Sequence, residues 1–236
     1  MSKLFIVPTP VGNLEDITLR ALRVLSAADI VLAEDTRKTS VLFRKHAIHT
    51  PLVSHHKFNE HVSTKAIVEK MIAGSRVALV SDAGTPGVSD PGFLLVRTCI
   101  EHGIEVECLP GATAFLPALI NSGLPCDRFC FEGFLPLKKG RTSRLNRLQD
   151  EERTLIFYEA SRRLVKTLIQ LSDVFGSDRR ACVSRELSKV FEENRRGALS
   201  DLISHYTAHE PKGEIVIIVA GATAPKKNAS ALKPRF

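Results

Sequence analysis

Between Lys3 and Pro110 short apolar runs alternate with longer segments of helical period, and no other feature of the chain narrows its fold as much. LFIVPT, IVLAE, PLVS, RVALVSD and EVECLPG read as strands. TLRALRVLSAA, TRKTSVLFRKH, STKAIVEKMIAG and PGFLLVRTCIEHG lie between them and read as helices. Strand and helix in strict alternation predict a parallel sheet joined by right-handed crossovers, an α/β domain.

Past residue 110 the rhythm changes. RFCFEGF, RTLIFYEA, RRACVSREL, KVFEENRRG and GEIVIIVAG include neighbours too close for a crossover helix, and the pair at 179–197, broken around Leu187 and Ser188, predicts an antiparallel hairpin. The boundary is therefore placed near Gly111. The expected organisation is an N-terminal α/β domain at 1–110, a mixed α/β domain at 111–221 and a basic, fraying tail at 222–236.

Several function classes drop out early. The longest apolar stretch, IVIIVAGA, is far short of the roughly 18 residues a membrane span needs, and the N-terminus lacks a signal-peptide core, so a cytoplasmic location is expected. Five cysteines without a C-x-x-C pair suggest neither a disulfide framework nor a zinc cluster. His205 and His209 have metal-compatible i, i+4 spacing but no third ligand nearby in sequence, so they read as a solvated helix face and no metal is expected.

Charge is unevenly placed. Of 33 Lys+Arg and 26 Asp+Glu, residues 1–110 hold 12 of each, so the whole net charge of +7 lies beyond residue 110. Its densest piece is KKGRTSRLNR, where Lys138, Lys139, Arg141, Arg144 and Arg147 appear without an acid. Such a segment is either a solvated face or a track for a phosphate backbone.

Three loops rich in glycine and proline follow the first, fourth and fifth strands: PTPVGN, SDAGTPGVSDPG and LPGATA. The carboxyl ends of parallel strands share one edge, where ligands of such sheets bind, and turns short of side chains let another molecule approach the backbone. Asp90-Pro91 has the form of an N-cap followed by the first helical position. Phosphate-binding glycine motifs are absent, and GVSDPG fails the spacing of a nucleophile elbow.

VPTPVGNLEDITLRAL, AEDTRKTSVL, VSDAGTPGVSDPG, CLPGATAFLPAL, FYEASRR, SREL and GEIVIIVAG together resemble the tetrapyrrole methylase family, and within it a bacterial branch that methylates ribosomal RNA. The resemblance runs from about Lys3 to Gly221. It implies a parallel-sheet domain and a mixed-sheet domain with the cofactor cleft between them, usually in a homodimer. It also implies use of S-adenosylmethionine to methylate the 2′-hydroxyl of a cytidine in the decoding centre of 16S rRNA. Some members carry a further helical segment beyond the second domain, where this sequence has a basic tail.

Carried over position by position, the resemblance assigns Pro10, Asp82, Thr85, Thr113 and Ala114, then Tyr158, Leu187 and Glu214, to the cofactor. A ribose hydroxyl needs a proton acceptor, and Asp35 and Glu159, carboxylates beside arginines at strand ends, are candidate bases between which the sequence does not choose. Arg37, Lys38 and Arg162 could orient phosphates, with Lys138, Lys139 and Arg141 as further RNA contacts. In SHHKFNEH, Asn59 and Glu60 are expected to face RNA, while His55 and His56 read equally as solvated loop residues. The rival functions are methylation of a corrin precursor and a non-catalytic RNA-binding role in ribosome assembly.

Overall fold

The computed structural model describes residues 2–222, so all but the first residue of the expected tail lies outside the described residues. The chain forms two compact units. One comprises the described residues up to Ala114 with Ser188–Val190, the other Phe115–Leu187 with the described residues from Phe191 onward.

In the first unit the elements follow the expected alternation: β1 (Lys3–Ile6), α1 (Leu19–Ala27), β2 (Ile30–Ala33), α2 (Thr36–Lys45), β3 (Leu52–Ser54), α3 (Glu60–Ile72), β4 (Val77–Val80), α4 (Phe93–Glu101) and β5 (Glu105–Cys108). All strand pairings are parallel, in the order β3-β2-β4-β1-β5. Side chains alternate across the pleat. Leu4, Ile6 and Leu79 pack under Met71 of α3 and Leu95 of α4, while Val31, Ala78 and Val80 pack under Leu25 of α1 and Phe43 of α2. Covered on both faces, β4 has all four residues buried, which explains its unbroken apolar sequence.

Local chemistry fixes the helix starts. Thr18 Oγ1 accepts from Ala21 N–H at 3.0 Å to cap α1, and the Asp35 carboxylate accepts from Arg37 N–H at 2.9 Å to cap α2. The Asp90-Pro91 expectation fails, because α4 begins two residues later with Gly92 as its cap. Gly92 has φ +138°, and a Cβ there would stand 2.9 Å from Leu79 Cδ2, so the chain needs a residue without a side chain where the loop folds back on β4.

The second unit contains α5 (Phe115–Ser122), β6 (Phe129–Phe134), α6 (Arg141–Arg147), β7 (Thr154–Ala160), α7 (Leu164–Phe175), β8 (Arg180–Arg185), β9 (Glu193–Ala198), α8 (Leu199–Ala208) and β10 (Glu214–Val219). Its sheet runs β6-β7-β10-β8-β9, with β6 parallel to β7 and the other pairings antiparallel. The expected hairpin is β8–β9, registered from Arg180↔Ala198 to Arg185↔Glu193. Leu155, Phe157 and Ile217 face a core completed by Leu145 of α6, Leu168 and Leu171 of α7 and Leu202 of α8. On the opposite face α5 packs over β8 and β10.

Candidate functional site

The first unit's chain runs from β1 through β2 to β3, then reverses for β4 and β5. The reversal falls between the adjacent strands β1 and β4, the position where open parallel sheets take up ligands. Three expected loops meet here. Thr9 and Gly84 exchange backbone hydrogen bonds of 2.8 and 2.9 Å, Thr9 Oγ1 donates to Ser81 O at 3.1 Å, and Thr85 Oγ1 donates to Ala112 O at 2.9 Å. A Cβ on Gly111 would lie 2.6 Å from Pro8 Cβ, so that glycine permits the first and third loops to touch. Gly87, at φ +83°, has open space where its side chain would be.

The structure thus gathers Thr85 and Thr113 around one knot, with Ala114 next along the chain, Pro10 buried beside Thr9 and Asp82 at its rim. Asp82 Oδ1 accepts from Asp35 N–H at 3.0 Å, and Oδ2 pairs with Lys38 Nζ at 2.6 Å. Lys38, expected on RNA phosphate, pairs with Asp82 across the ends of β2 and β4 and keeps its side chain 64% exposed. Arg37 grips Asp35 through two nitrogens, at 3.0 and 2.7 Å. That guanidinium, with the Arg37 N–H, holds the Asp35 carboxyl down at about 2, so Asp35 is a helix cap and poorly suited to accept a proton.

The neighbouring carboxylate, Glu34, lies in a different setting and was passed over in the sequence. It is half-buried at the end of β2. Its pKa is raised, chiefly by burial and then by the Asp82 charge, with Lys38 and His56 opposing. Its signal was available: in AEDTRKT the residue directly after the strand is Glu34, and Asp35 already belongs to the helix cap.

SHHKFNEH is only partly a solvated loop. His55 is fully buried, donates its backbone N–H to Ala33 O at 2.9 Å, and has Nδ1 2.8 Å from Ser63 Oγ; burial pushes its pKa down. Asn59 spends its amide inside the turn, accepting from His56 N–H at 2.7 Å and donating to Ser54 O at 3.1 Å. It shapes the start of α3, and its amide group is not held out for RNA as expected.

In the second unit two expectations are corrected together. Glu159 is 2% exposed and Arg141 7% exposed, and they face each other inside the core side of the sheet. Glu159 accepts from Thr167 Oγ1 at 2.6 Å, from Arg163 Nη2 at 2.6 Å and from Ala160 N–H at 2.9 Å. Arg141 donates to Thr167 Oγ1, Gln170 Oε1 and the Pro136 carbonyl. Glu159 therefore lacks the solvent access expected of a base, and Arg141 is a structural cation sunk beneath a basic segment. Lys138 and Lys139 remain exposed, as does Arg162.

Tyr158 is half-buried among aromatic rings, 5.1 Å from Phe131 and 5.5 Å from Phe134 by ring centroids. Strand alternation alone would put Phe131 and Phe134 on opposite faces. A bulge shifts the register so that Phe131 pairs with Ile156 and Phe134 with Tyr158, leaving Glu132 as the extra residue. Leu187 is buried between Glu186 at φ +51° and Ser188 at φ +60°, and Glu186 is tied to Glu214 by a backbone bond of 3.0 Å and a side-chain bond of 3.1 Å. His205 is half-buried rather than solvated; its ring stacks on His209 at 4.6 Å, and no group of residues able to hold a metal occurs among the described residues.

A methyl donor of the S-adenosylmethionine type carries a sulfonium and an ammonium. The loops leave open backbone at Gly87 for such a group, whereas the carboxylates of Asp35 and Asp82 are already taken up by Arg37 and Lys38.

An α/β chain with a ligand edge built from these three loops belongs to the tetrapyrrole (corrin/porphyrin) methylases, a family that matches residues 3–203. Its fold is also that of a uroporphyrin-III-C-methyltransferase from Thermus thermophilus, with TM-score 0.65 at 22% identity over 92% of this chain and 93% of that one. Among curated relatives the chain is similar to proteins named ribosomal RNA small subunit methyltransferase I. That of Pseudomonas aeruginosa is 50% identical over 230 residues, covering 96% of this chain and 82% of its own. That of Synechocystis sp. is 49% identical over 224 residues, covering 94% and 80%.

Proposed function

We propose that this chain is an S-adenosylmethionine-dependent methyltransferase of small-subunit ribosomal RNA, and that its acceptor is the 2′-hydroxyl of a cytidine in the decoding centre of 16S rRNA. The observation that carries the reading is near-half identity to relatives of that name along almost the whole chain. The enzyme would work as a cytoplasmic homodimer.

When bound, S-adenosylmethionine supplies a methyl group already activated on a positively charged sulfur, so the chain's task is placement and proton removal. The loop knot around Thr9, Gly84 and Thr85 presents backbone to the cofactor with little freedom to move. Pro10, Asp82, Thr85, Thr113 and Ala114 are its proposed contacts, joined by Tyr158, Leu187 and Glu214. Glu34 takes the hydroxyl proton in this reading, since its raised pKa matches an acceptor at neutral pH better than the depressed Asp35. Arg37, Lys38 and Arg162 are proposed to meet RNA phosphates.

Incubation with tritiated S-adenosylmethionine and undermethylated small subunits, followed by nucleoside analysis, tests the proposal. Label in a cytidine ribose is expected. Label confined to a base overturns the acceptor assignment, label in a corrin precursor instead of RNA favours the rival methylase, and transfer to neither leaves the non-catalytic role.

A further inference from the structure

Against the outer edge of β6 lies a hollow of about 380 Å³ lined by Glu132, Phe134, Leu135, Gly140, Arg144 and Arg147, among others. Its volume falls in the range of small-ligand sites, about 300 to 1,000 Å³. The one carboxylate on its wall, Glu132, has its side chain only 3% exposed and already bound by Arg144 Nε at 2.6 Å. That bond aims the Arg144 guanidinium and leaves its terminal nitrogens without a protein partner among the described residues. Arg147, one helical turn on, has no side-chain partner among the described residues, and Lys138 and Lys139 are exposed on the segment leading into α6.

Phe134 completes the wall. Its ring rests against Tyr158, yet 53% of the residue stays exposed, and the bulge at Glu132 is what turns it to Tyr158's side of the sheet. A solvent-facing ring beside the free terminal nitrogens of Arg144 and the guanidinium of Arg147 has the chemistry of a single-strand platform, where bases stack on the aromatic and cations hold the backbone. Resting on the rRNA-methylation reading, we propose that this hollow receives one unpaired nucleotide of the RNA substrate, its base on Phe134 and its phosphates on Arg144 and Arg147.

The test measures binding of a fluorescein-labelled, single-stranded oligoribonucleotide by the full chain across a salt series. Phe134→Ala is expected to weaken binding roughly tenfold, and Phe134→Tyr, which keeps a ring, to restore it. Arg147→Ala is expected to weaken binding and to lower the slope of log affinity against log salt by about 0.7, the share of one phosphate contact on a single strand. A duplex RNA of equal length should show no dependence on Phe134. Parental affinity in both Phe134→Ala and Arg147→Ala overturns the proposal, as does equal loss in Phe134→Ala and Phe134→Tyr. The two readings fail separately: ribose methylation by a parent enzyme indifferent to both substitutions sinks the hollow alone, whereas Phe134-dependent binding without methylation sinks the proposed activity alone.

Discussion

Arg141 and Glu159 meet inside the second unit at 3.4 Å, with side chains 8% and 1% exposed, and Thr167 bridges them. The pair ties the start of α6 to the end of β7, so the buried arginine sets the position from which Arg144 and Arg147 project. Without Arg141, Glu159 keeps its pairing with Arg163 at 2.6 Å, whereas Gln170 and the Pro136 carbonyl lose their donor, so the cost falls short of the about 3 to 5 kcal/mol of a stranded buried charge. Arg141→Met should therefore lower unfolding free energy in urea by about 1 to 3 kcal/mol. Lys138→Ala with Lys139→Ala should leave stability within about 0.5 kcal/mol while flattening the salt dependence of RNA binding. A stable Arg141→Met protein with a flattened salt slope would return Arg141 to the RNA surface.

Gly92 and Gly87 lie in one loop and both have positive φ, but their surroundings differ. Alanine at Gly92 meets Leu79 Cδ2 as well as an unfavourable backbone, whereas alanine at Gly87 meets only the backbone term of about 1 to 2 kcal/mol. Gly92→Ala should be the more destabilising by thermal or urea unfolding. If Gly87 lines the cofactor site, its substitution should show chiefly as weaker cofactor binding by calorimetry.

Glu34→Gln removes a proton acceptor while keeping shape and most hydrogen bonding. Turnover should fall by about 10² or more with cofactor affinity near parental. Asp35→Asn should act mainly on stability, by weakening the α2 cap by about 1 kcal/mol. Comparable losses of turnover in the two variants would count against Glu34 as the base.

Asp35 and Glu151 are each held by a neighbouring arginine, Arg37 and Arg153, which pull both carboxyls to about 2 from ordinary values of 3.8 and 4.5. Because the folded pKa values are depressed, their contribution is fully present above the unfolded values and is lost as pH falls from about 4.5 toward 2. Glu151→Gln should accordingly flatten the stability profile in that window and leave it unchanged in shape at neutral pH. A parental acid profile in Glu151→Gln would show that the pair does not persist in solution.

The alternation of apolar runs made the parallel sheet legible, because a strand covered on both faces, such as VALV of β4, must be apolar throughout. The three loops were legible for a related reason: glycine and proline mark where the backbone must take special conformations. Charged residues were read less well. Arg141 and Arg144 stand three apart in one basic run, yet the first is buried by Thr167 and Gln170 from α7, a contact between distant segments that local sequence does not encode. Asp35 was not recognised as a cap because one residue separates the end of a strand from the cap of a helix, and only the backbone shows that Asp35, and not Glu34, caps α2.

The extra residue in β6 acts as a frame shift in the pleat. Had the strand kept its regular count, Phe134 would have pointed to the opposite side, and no exchange of one side chain for another would bring it round to Tyr158. A relative lacking that insertion would have to assemble any nucleotide platform from different atoms, so the length of this strand, more than its composition, decides what the edge can hold.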